Sequence, residues 1–103
     1  MKRGEIWWAN LPPPIGRRPV LLLSRDEAYT VRSAVTVAEI TATIRDIPVE
    51  VVLGPEDGLS RKCVANADTI ITINKKLLET KIADLSRSKI TEMDTAIKFA
   101  LDL

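Results

Sequence analysis

Short apolar runs separated by turn-forming residues make up most of this chain. Runs rich in Val, Ile, Thr or Trp occupy residues 4–10, 18–25, 33–43 and 48–53, with prolines and glycines between several of them. β-branched and aromatic residues favour strands, whereas proline and glycine favour turns. Two further β segments are predicted at residues 63–65 and 69–73. Many short strands with frequent breaks predict a mainly β fold built as a small barrel.

The carboxyl-terminal segment has a helical period instead. Its apolar residues recur at intervals of three and four positions: Ile90, Met93, Ile97, Ala100 and Leu101. With Ser86 or Ser88 as N-cap, residues 87–101 are predicted to form an amphipathic helix whose apolar face covers an open side of the β core. A second, short helix is predicted over residues 74–80.

Length and composition limit the classes of protein to which the chain can belong. Its 103 residues, 46% of them hydrophobic, suffice for one core, so we expect a single domain over residues 1–103. No apolar stretch approaches the roughly 20 residues that cross a bilayer, and the amino terminus lacks a signal-peptide pattern. We therefore expect a cytoplasmic protein with no membrane association.

The chain has no histidine and a single cysteine, Cys63. Histidine is the usual metal ligand and the usual acid or base near neutral pH, and one thiolate does not form a zinc site. We therefore expect no metal, no cofactor and no internal disulfide, with Cys63 as a packing residue. Any catalysis is expected to proceed without histidine.

The net charge is only +1, from 15 basic and 14 acidic residues, so affinity for nucleic acid must come from local patterning. Most arginines lie before residue 62, and most lysines follow from Lys62 onward. A guanidinium is planar, permanently charged and able to bind two phosphate oxygens at once. Phosphate binding, if present, belongs to the arginine-rich first part.

Two arginines stand where the second strand leaves a turn. Arg17 and Arg18 precede Pro19, and the apolar run from Val20 indicates a buried strand. A rigid, charged rim of this kind suits a phosphodiester. An arginine pair at a strand start is more often a solvated edge or an ion-pair partner, and the residues alone leave both interpretations open.

The third strand carries polar residues on one face. Alternation places Glu39 and Thr41 together and Ile40 on the other side, which we expect to be the core face. If the second and third strands are neighbours, Glu39 and Thr41 approach Arg18 and form one pocket. Threonine is also enriched in strands for reasons unrelated to reactivity, so this pocket stays a hypothesis.

Four segments, in this order, resemble the MazF/PemK family of toxin endoribonucleases. They are residues 3–8 (RGEIWW), 16–24 (GRRPVLLLS), 39–45 (EITATIR) and 64–66 (VAN). The opening and the Arg-Pro-Val strand are the most specific, and the resemblance spans nearly the whole chain. The stretch from Leu11 through three prolines to Arg17 is shorter than the loop of many members.

The resemblance implies an SH3-like small barrel of the CcdB/PemK type with a C-terminal amphipathic helix, assembled as a homodimer. It implies the toxin of a type II toxin-antitoxin system: a sequence-selective mRNA interferase that cuts single-stranded RNA by attack of the 2'-hydroxyl. Such a toxin needs no metal, inhibits translation and growth, and is silenced by a MazE-like antitoxin. The resemblance also implies that Arg18 and Thr41 act at the scissile phosphate.

The general base does not follow from the resemblance. Arginine, with a pKa above about 12, is a poor base, so Glu39 is inferred from the residues alone to be a base or an orienting partner. Contacts to the RNA backbone are predicted for the remaining basic side chains near the site: Arg17, Arg25, Arg45, Arg61 and Lys62. Trp7 and Trp8 point to opposite faces, so at most one can stack on a base.

Two other functions remain open at this point. A CcdB-like toxin acts on DNA gyrase by protein contact and has no need of the Arg18 and Thr41 pair. A non-catalytic SH3-like RNA-binding or interaction module would bind RNA equally well after Thr41→Ala and would cleave none.

Overall fold

The computed structural model describes residues 1–103, with six strands and two α-helices. In chain order the elements are β1 (Glu5–Asn10), β2 (Arg17–Leu22), α1 (Ala28–Val31), β3 (Ala34–Thr41), β4 (Glu50–Leu53), β5 (Cys63–Asn74), β6 (Leu78–Asp84) and α2 (Arg87–Leu101). Short 3-10 turns lie at Pro55–Asp57 and Lys75–Leu77. Neither α-helix has the length and apolarity that a bilayer crossing requires.

All six strands form one antiparallel sheet in the order β4-β5-β3-β2-β1-β6. The sheet curls into a half-barrel, and α2 packs against β4 and β5. This arrangement confirms the predicted mainly β barrel with a carboxyl-terminal helix. It also makes β2 and β3 neighbours, with Val20 opposite Glu39, as the pocket hypothesis required.

Both faces of the sheet are buried. One hydrophobic cluster, which contains Ile40 of β3 and Met93 of α2, lies between the sheet and that helix. A second cluster contains Val37 of β3 and Tyr29 of α1 on the opposite face. Ile40 is buried, as expected of the core face, and the opposite face of this strand is buried too, because α1 and the segments beside it cover that face.

The carboxyl-terminal helix agrees with its prediction over residues 87–101. Ser86 is the N-cap, and its hydroxyl accepts a hydrogen bond of 3.2 Å from the Lys89 amide. The helix lies close to the start of β1, where Gly4 has a φ of +93°. A Cβ at Gly4 would lie 2.6 Å from Cδ1 of Ile90, so only glycine fits this contact without displacement.

The two β segments predicted at residues 63–65 and 69–73 are one continuous strand, β5. The polar Asn66 and Asp68 interrupt the apolar pattern, which made the sequence look like two strands. Pairing to β3 continues across this stretch through a register shift between Ala38 and Ile40. The irregularity therefore bends one strand and does not divide it.

The short helix predicted over residues 74–80 is reduced to the 3-10 turn at Lys75–Leu77. After the 3-10 turn the chain enters β6, which the sequence did not predict. β6 is an edge strand, and three successive residues, Glu79, Thr80 and Lys81, are exposed. A strand that buries so little side-chain area lacks the alternation from which strands are predicted.

Candidate functional site

A cavity of about 600 Å³ opens where the start of β2 and the end of β3 meet the loop before β5. Its lining residues come from five strands and two loops: Trp8, Arg17, Arg18, Pro19, Ile40, Thr41, Ala42, Thr43, Gly58, Leu59, Ser60, Arg61, Cys63 and Ile82. Three guanidinium groups and no carboxylate are among them. The charged groups of the lining are thus all basic, which suits an anionic ligand.

Arg18 and Thr41 both line this cavity. Continuing the antiparallel register that pairs Val20 with Glu39 places Arg18 opposite Thr41. The Thr41 hydroxyl oxygen accepts a hydrogen bond of 3.2 Å from the Thr43 amide. Because the amide occupies a lone pair of that oxygen, the hydroxyl proton remains available for a ligand in the cavity.

Glu39 lies beside Arg18 but is not part of the cavity lining. Its side chain is only 12% exposed, and Oε1 lies 3.8 Å from Nη1 of Arg18. That oxygen has no hydrogen-bond partner, and 3.8 Å is too long for a hydrogen bond. The carboxylate attracts the guanidinium through charge alone, from a position that does not face the cavity.

Arg17 is held by two other strands. Its guanidinium carbon lies 4.1 Å from the centroid of the Trp8 ring, and its Nε donates a hydrogen bond of 2.8 Å to Oε1 of Glu79. Trp7 points the other way: it packs against the second cluster and donates from Nε1 to Oε1 of Glu5 at 2.9 Å. Of the two tryptophans, Trp8 alone lines the cavity.

The sequence over residues 2–101 matches the family model described as PemK-like, MazF-like toxin of type II toxin-antitoxin system. The chain belongs to this family. A similar curated relative is the probable endoribonuclease MazF5 of Mycobacterium tuberculosis, 37% identical over 101 residues that make up 97% of this chain and 92% of the relative. The match confirms the resemblance seen in the four segments and does not favour the gyrase-directed alternative.

Solved structures agree with this assignment. The Mycobacterium tuberculosis toxin MazF-mt6 is 34% identical, with a TM-score of 0.89 over 96% of this chain and 97% of that one. An endoribonuclease in complex with its cognate antitoxin, from Mycobacterial species, is 28% identical, with a TM-score of 0.87 over 100% of this chain and 96% of that one. The PemK/MazF fold therefore extends over the whole chain.

The other basic residues predicted to bind RNA are distributed unevenly in this family member. Arg61 lines the cavity, and the exposed Lys62 follows it directly. Arg45 is exposed in the loop after β3, where its backbone amide donates to the Glu50 carboxylate at 3.0 Å. Arg25 lies beyond the opposite end of β2 from the cavity and pairs with Glu27 at 2.9 Å. The structure therefore does not bring Arg25 to the site.

Sequence reasoning missed several parts of this toxin's cavity and of the contacts around it. Cys63 is buried, as expected of a packing residue, but it also lines the cavity. Burial, followed by the negative charge of Asp57, raises the pKa of its thiol. Glu79 carried no local signal because it lies in the unpredicted β6, whereas the glycine-rich turn before Leu59 was a visible signal for a loop at this place.

No three His, Cys, Asp or Glu side chains group closely enough to hold a metal ion.

Proposed function

We propose that this toxin is a sequence-selective endoribonuclease that cuts single-stranded RNA in the cytoplasm without a metal ion, and so inhibits translation and growth. The observation that carries the proposal is that Arg18 and Thr41 line one cavity whose charged groups are all basic. A phosphodiester is an anion with two free oxygens that accept hydrogen bonds. A guanidinium and a hydroxyl proton are matching donors.

The cleavage needs one displacement at phosphorus. The 2'-oxygen of a nucleotide bonds to the adjacent phosphorus while the bond from phosphorus to the 5'-oxygen breaks. The 2'-hydroxyl loses its proton and the leaving 5'-oxygen gains one, so the products are a 2',3'-cyclic phosphate and a 5'-hydroxyl end. Arg18 and Thr41 donate to the phosphoryl oxygens on which negative charge grows, and each preorganised donor is worth roughly 3 kcal/mol.

Glu39 acts in this proposal as an orienting partner of Arg18. Two roles were open, and a general base must come within hydrogen-bond reach of the 2'-hydroxyl. Glu39 is largely buried and absent from the cavity lining, whereas Arg18 is its neighbour at 3.8 Å. The position of the carboxylate supports the orienting role over the role of base.

Flanking nucleotides are proposed to run along the basic side of the cavity. Arg61 lines the cavity. Lys62 and Arg45 are exposed and lie within two residues of lining residues in the sequence. These three side chains can reach phosphates on either side of the cleaved bond. Arg25 is left out because it lies past the far end of β2 and is paired with Glu27.

Two protein partners complete the proposal: a second copy of the chain and a MazE-like antitoxin. Support for the antitoxin comes from the related endoribonuclease solved with its cognate antitoxin. Support for the homodimer comes from the family resemblance and from large apolar side chains left exposed near the end of α2, those of Phe99, Leu101 and Leu103. Sedimentation of the isolated protein at the mass of one chain would contradict the dimer.

The first experiment is incubation of the purified protein with mixed-sequence single-stranded RNA in EDTA, with Arg18→Ala alongside. We expect cleavage by the wild type alone, with 2',3'-cyclic phosphate and 5'-hydroxyl ends identified chemically. Failure of the wild type to cut any RNA, with toxicity retained in cells, would overturn the proposed activity. Cleavage that requires an added divalent cation would overturn the metal-independent route.

A further inference from the structure

The side chain of Arg17 is fixed by two neighbours on adjacent strands. β2, β1 and β6 lie side by side in the sheet and contribute Arg17, Trp8 and Glu79 respectively. The indole covers one face of the guanidinium at 4.1 Å, and the carboxylate takes the Nε proton at 2.8 Å. A stacked face and a charged hydrogen bond together define both the plane and the direction of the guanidinium.

The outer edge of this guanidinium is free. Of its five N–H donors, only the one on Nε is used, and neither Nη group makes a hydrogen bond within the chain. Arg17 lines the cavity and its side chain is 53% exposed. The two Nη groups therefore present a pair of adjacent donors to whatever occupies the cavity.

The charge of Arg17 is compensated, and that of Arg18 is not compensated to the same degree. Glu79 contacts Arg17 at 2.8 Å with a hydrogen bond, whereas the carboxylate beside Arg18 stays at 3.8 Å without one. A phosphate bound to Arg17 would lie close to the Glu79 carboxylate, and the two negative charges would repel each other. A neutral ligand meets no such repulsion.

We propose that the free Nη edge of Arg17 binds a nucleobase of the RNA, and that Glu79 is the positioning residue that fixes Arg17 for this contact. The proposal rests on the proposed RNA cleavage and assigns a base contact within the same cavity. The two neighbouring arginines then have separate tasks: Arg18 binds the scissile phosphate, and Arg17 selects a base.

The geometry restricts which bases are accepted. Two adjacent donors match two adjacent acceptors, which guanine offers at O6 and N7 and cytosine offers at N3 and O2. Adenine and uracil have no neighbouring pair of acceptors. The cleavage site should therefore show a preference for guanine or cytosine at one position, of roughly tenfold over the other bases, as is typical of a bidentate base contact.

The test compares cleavage of a randomised single-stranded RNA library by folded variants. Arg17→Gln combined with Glu79→Gln removes the contact without changing the net charge, and Glu79→Gln alone removes only the compensating charge. Glu27→Gln is the matched control, because Glu27 accepts from Nε of Arg25 at 2.9 Å in a pair of the same kind outside the cavity. Sequencing of the cut ends gives the base preference, and KM measured against salt gives the number of phosphate contacts.

The double variant is expected to lose the guanine or cytosine preference at one position while its salt dependence stays that of the wild type. Glu79→Gln should weaken the preference for guanine or cytosine. It should also steepen the log-log dependence of KM on salt by up to roughly 0.7, because the uncompensated Arg17 can then bind a phosphate. Glu27→Gln should match the wild type in both measurements.

Two results would overturn the inference while the proposed activity stands. One is a double variant that cuts RNA with the wild-type preference at every position. The other is a double variant whose salt slope falls by about 0.7, which would make Arg17 a phosphate ligand. A wild-type protein that cuts none of the library would instead overturn the proposed function itself.

Discussion

Nη1 of Arg18 lies 3.8 Å from Oε1 of Glu39, an oxygen with no hydrogen-bond partner. The distance allows attraction between the charges without occupying any guanidinium N–H, so the donors of Arg18 stay available for a phosphate. A largely buried charged oxygen without a hydrogen bond costs stability, typically about 1–3 kcal/mol. The fold therefore gives up some stability at this position, as is common where a site requires a charge.

Glu39→Gln tests whether the carboxylate orients Arg18 or takes a proton. If Glu39 is an orienting partner, the kcat of Glu39→Gln should fall by less than about 100-fold relative to the wild type. Removal of a general base typically lowers kcat by 10²–10⁴-fold. The variant should also unfold at a higher temperature than the wild type, because a neutral amide is easier to bury than a carboxylate whose Oε1 lacks a hydrogen bond. Single-turnover cleavage across pH and thermal unfolding check both statements.

A loss of more than about 100-fold in kcat by Glu39→Gln, with the fold intact, would contradict the orienting role and make Glu39 the base. Glu27→Gln serves as the control, because Glu27 is an exposed carboxylate that pairs with Arg25 and does not line the cavity.

Arg18→Ala and Thr41→Ala should each abolish growth toxicity and lower kcat by about 10²–10³-fold, since each removes one donor from the charged phosphoryl oxygens. Thr41→Ser keeps the hydroxyl and should retain most of the activity. Toxicity in cells and single-turnover rates on a defined RNA give the readout. Retained toxicity in both alanine variants, with the fold intact, would refute this site.

The placement of Arg18 and Thr41 in one cavity could be predicted from the sequence, because the alternation of side chains along a strand is a local property. Strand alternation fixes the face of each side chain, and one correct assumption, that β2 and β3 are neighbours, brings them together. The family resemblance pointed to the same two positions. The extra role of Cys63 in the cavity lining depends on the path of the loop before it, which no local pattern specifies.

Other parts of the site and fold could not be predicted, for physical reasons. Glu79 lies on an edge strand whose exposed side chains leave no apolar alternation to detect. Arg25 and Arg17 look alike in sequence, and only the length and direction of β2 separate them in space. The burial of Val37 depends on α1, which covers the second face through contacts distant in sequence.

Arg61 and Arg25 should differ in their effect on RNA binding. Arg61→Gln is expected to lower the log-log salt slope of RNA binding by roughly 0.7, the value for one contact to a single-stranded phosphate. Arg25→Gln should leave the slope unchanged, because Arg25 lies away from the cavity. Titration of a non-cleavable RNA at several salt concentrations measures both slopes, and equal losses in the two variants would show that the bound RNA extends beyond the cavity.

Gly4→Ala should destabilise the toxin more than Gly16→Ala. Both glycines have positive φ, +93° and +71°, so both substitutions carry backbone strain of about 1 kcal/mol or more. At Gly4 the new methyl group would also lie 2.6 Å from Ile90, whereas nothing lies within 4 Å of a Cβ at Gly16. Urea unfolding gives the difference, and equal losses in the two variants would mean that α2 shifts without a penalty.

Glu5 should make stability depend on pH in the acidic range. Burial by itself raises the pKa of this carboxyl, but the hydrogen bond from Trp7 and the Lys81 ammonium at 3.4 Å outweigh it and hold the pKa below the ordinary value of 4.5. A group with a lowered pKa in the folded state stabilises the fold above its unfolded pKa. That stabilisation is lost as pH falls through the folded value.

Glu5→Gln is therefore expected to be less stable than the wild type at neutral pH, and the difference should narrow below pH 4.5, where the unfolded carboxyl takes up its proton. Urea unfolding of both proteins at pH values from neutral to about 3 measures the difference directly. When Lys81→Gln is present in both proteins, the stability that Glu5→Gln removes at neutral pH should be smaller, because the Lys81 ammonium is one of the groups that lower the pKa of Glu5. A difference between wild type and Glu5→Gln that stays constant over the whole range would mean that Glu5 contributes through packing and not through its charge.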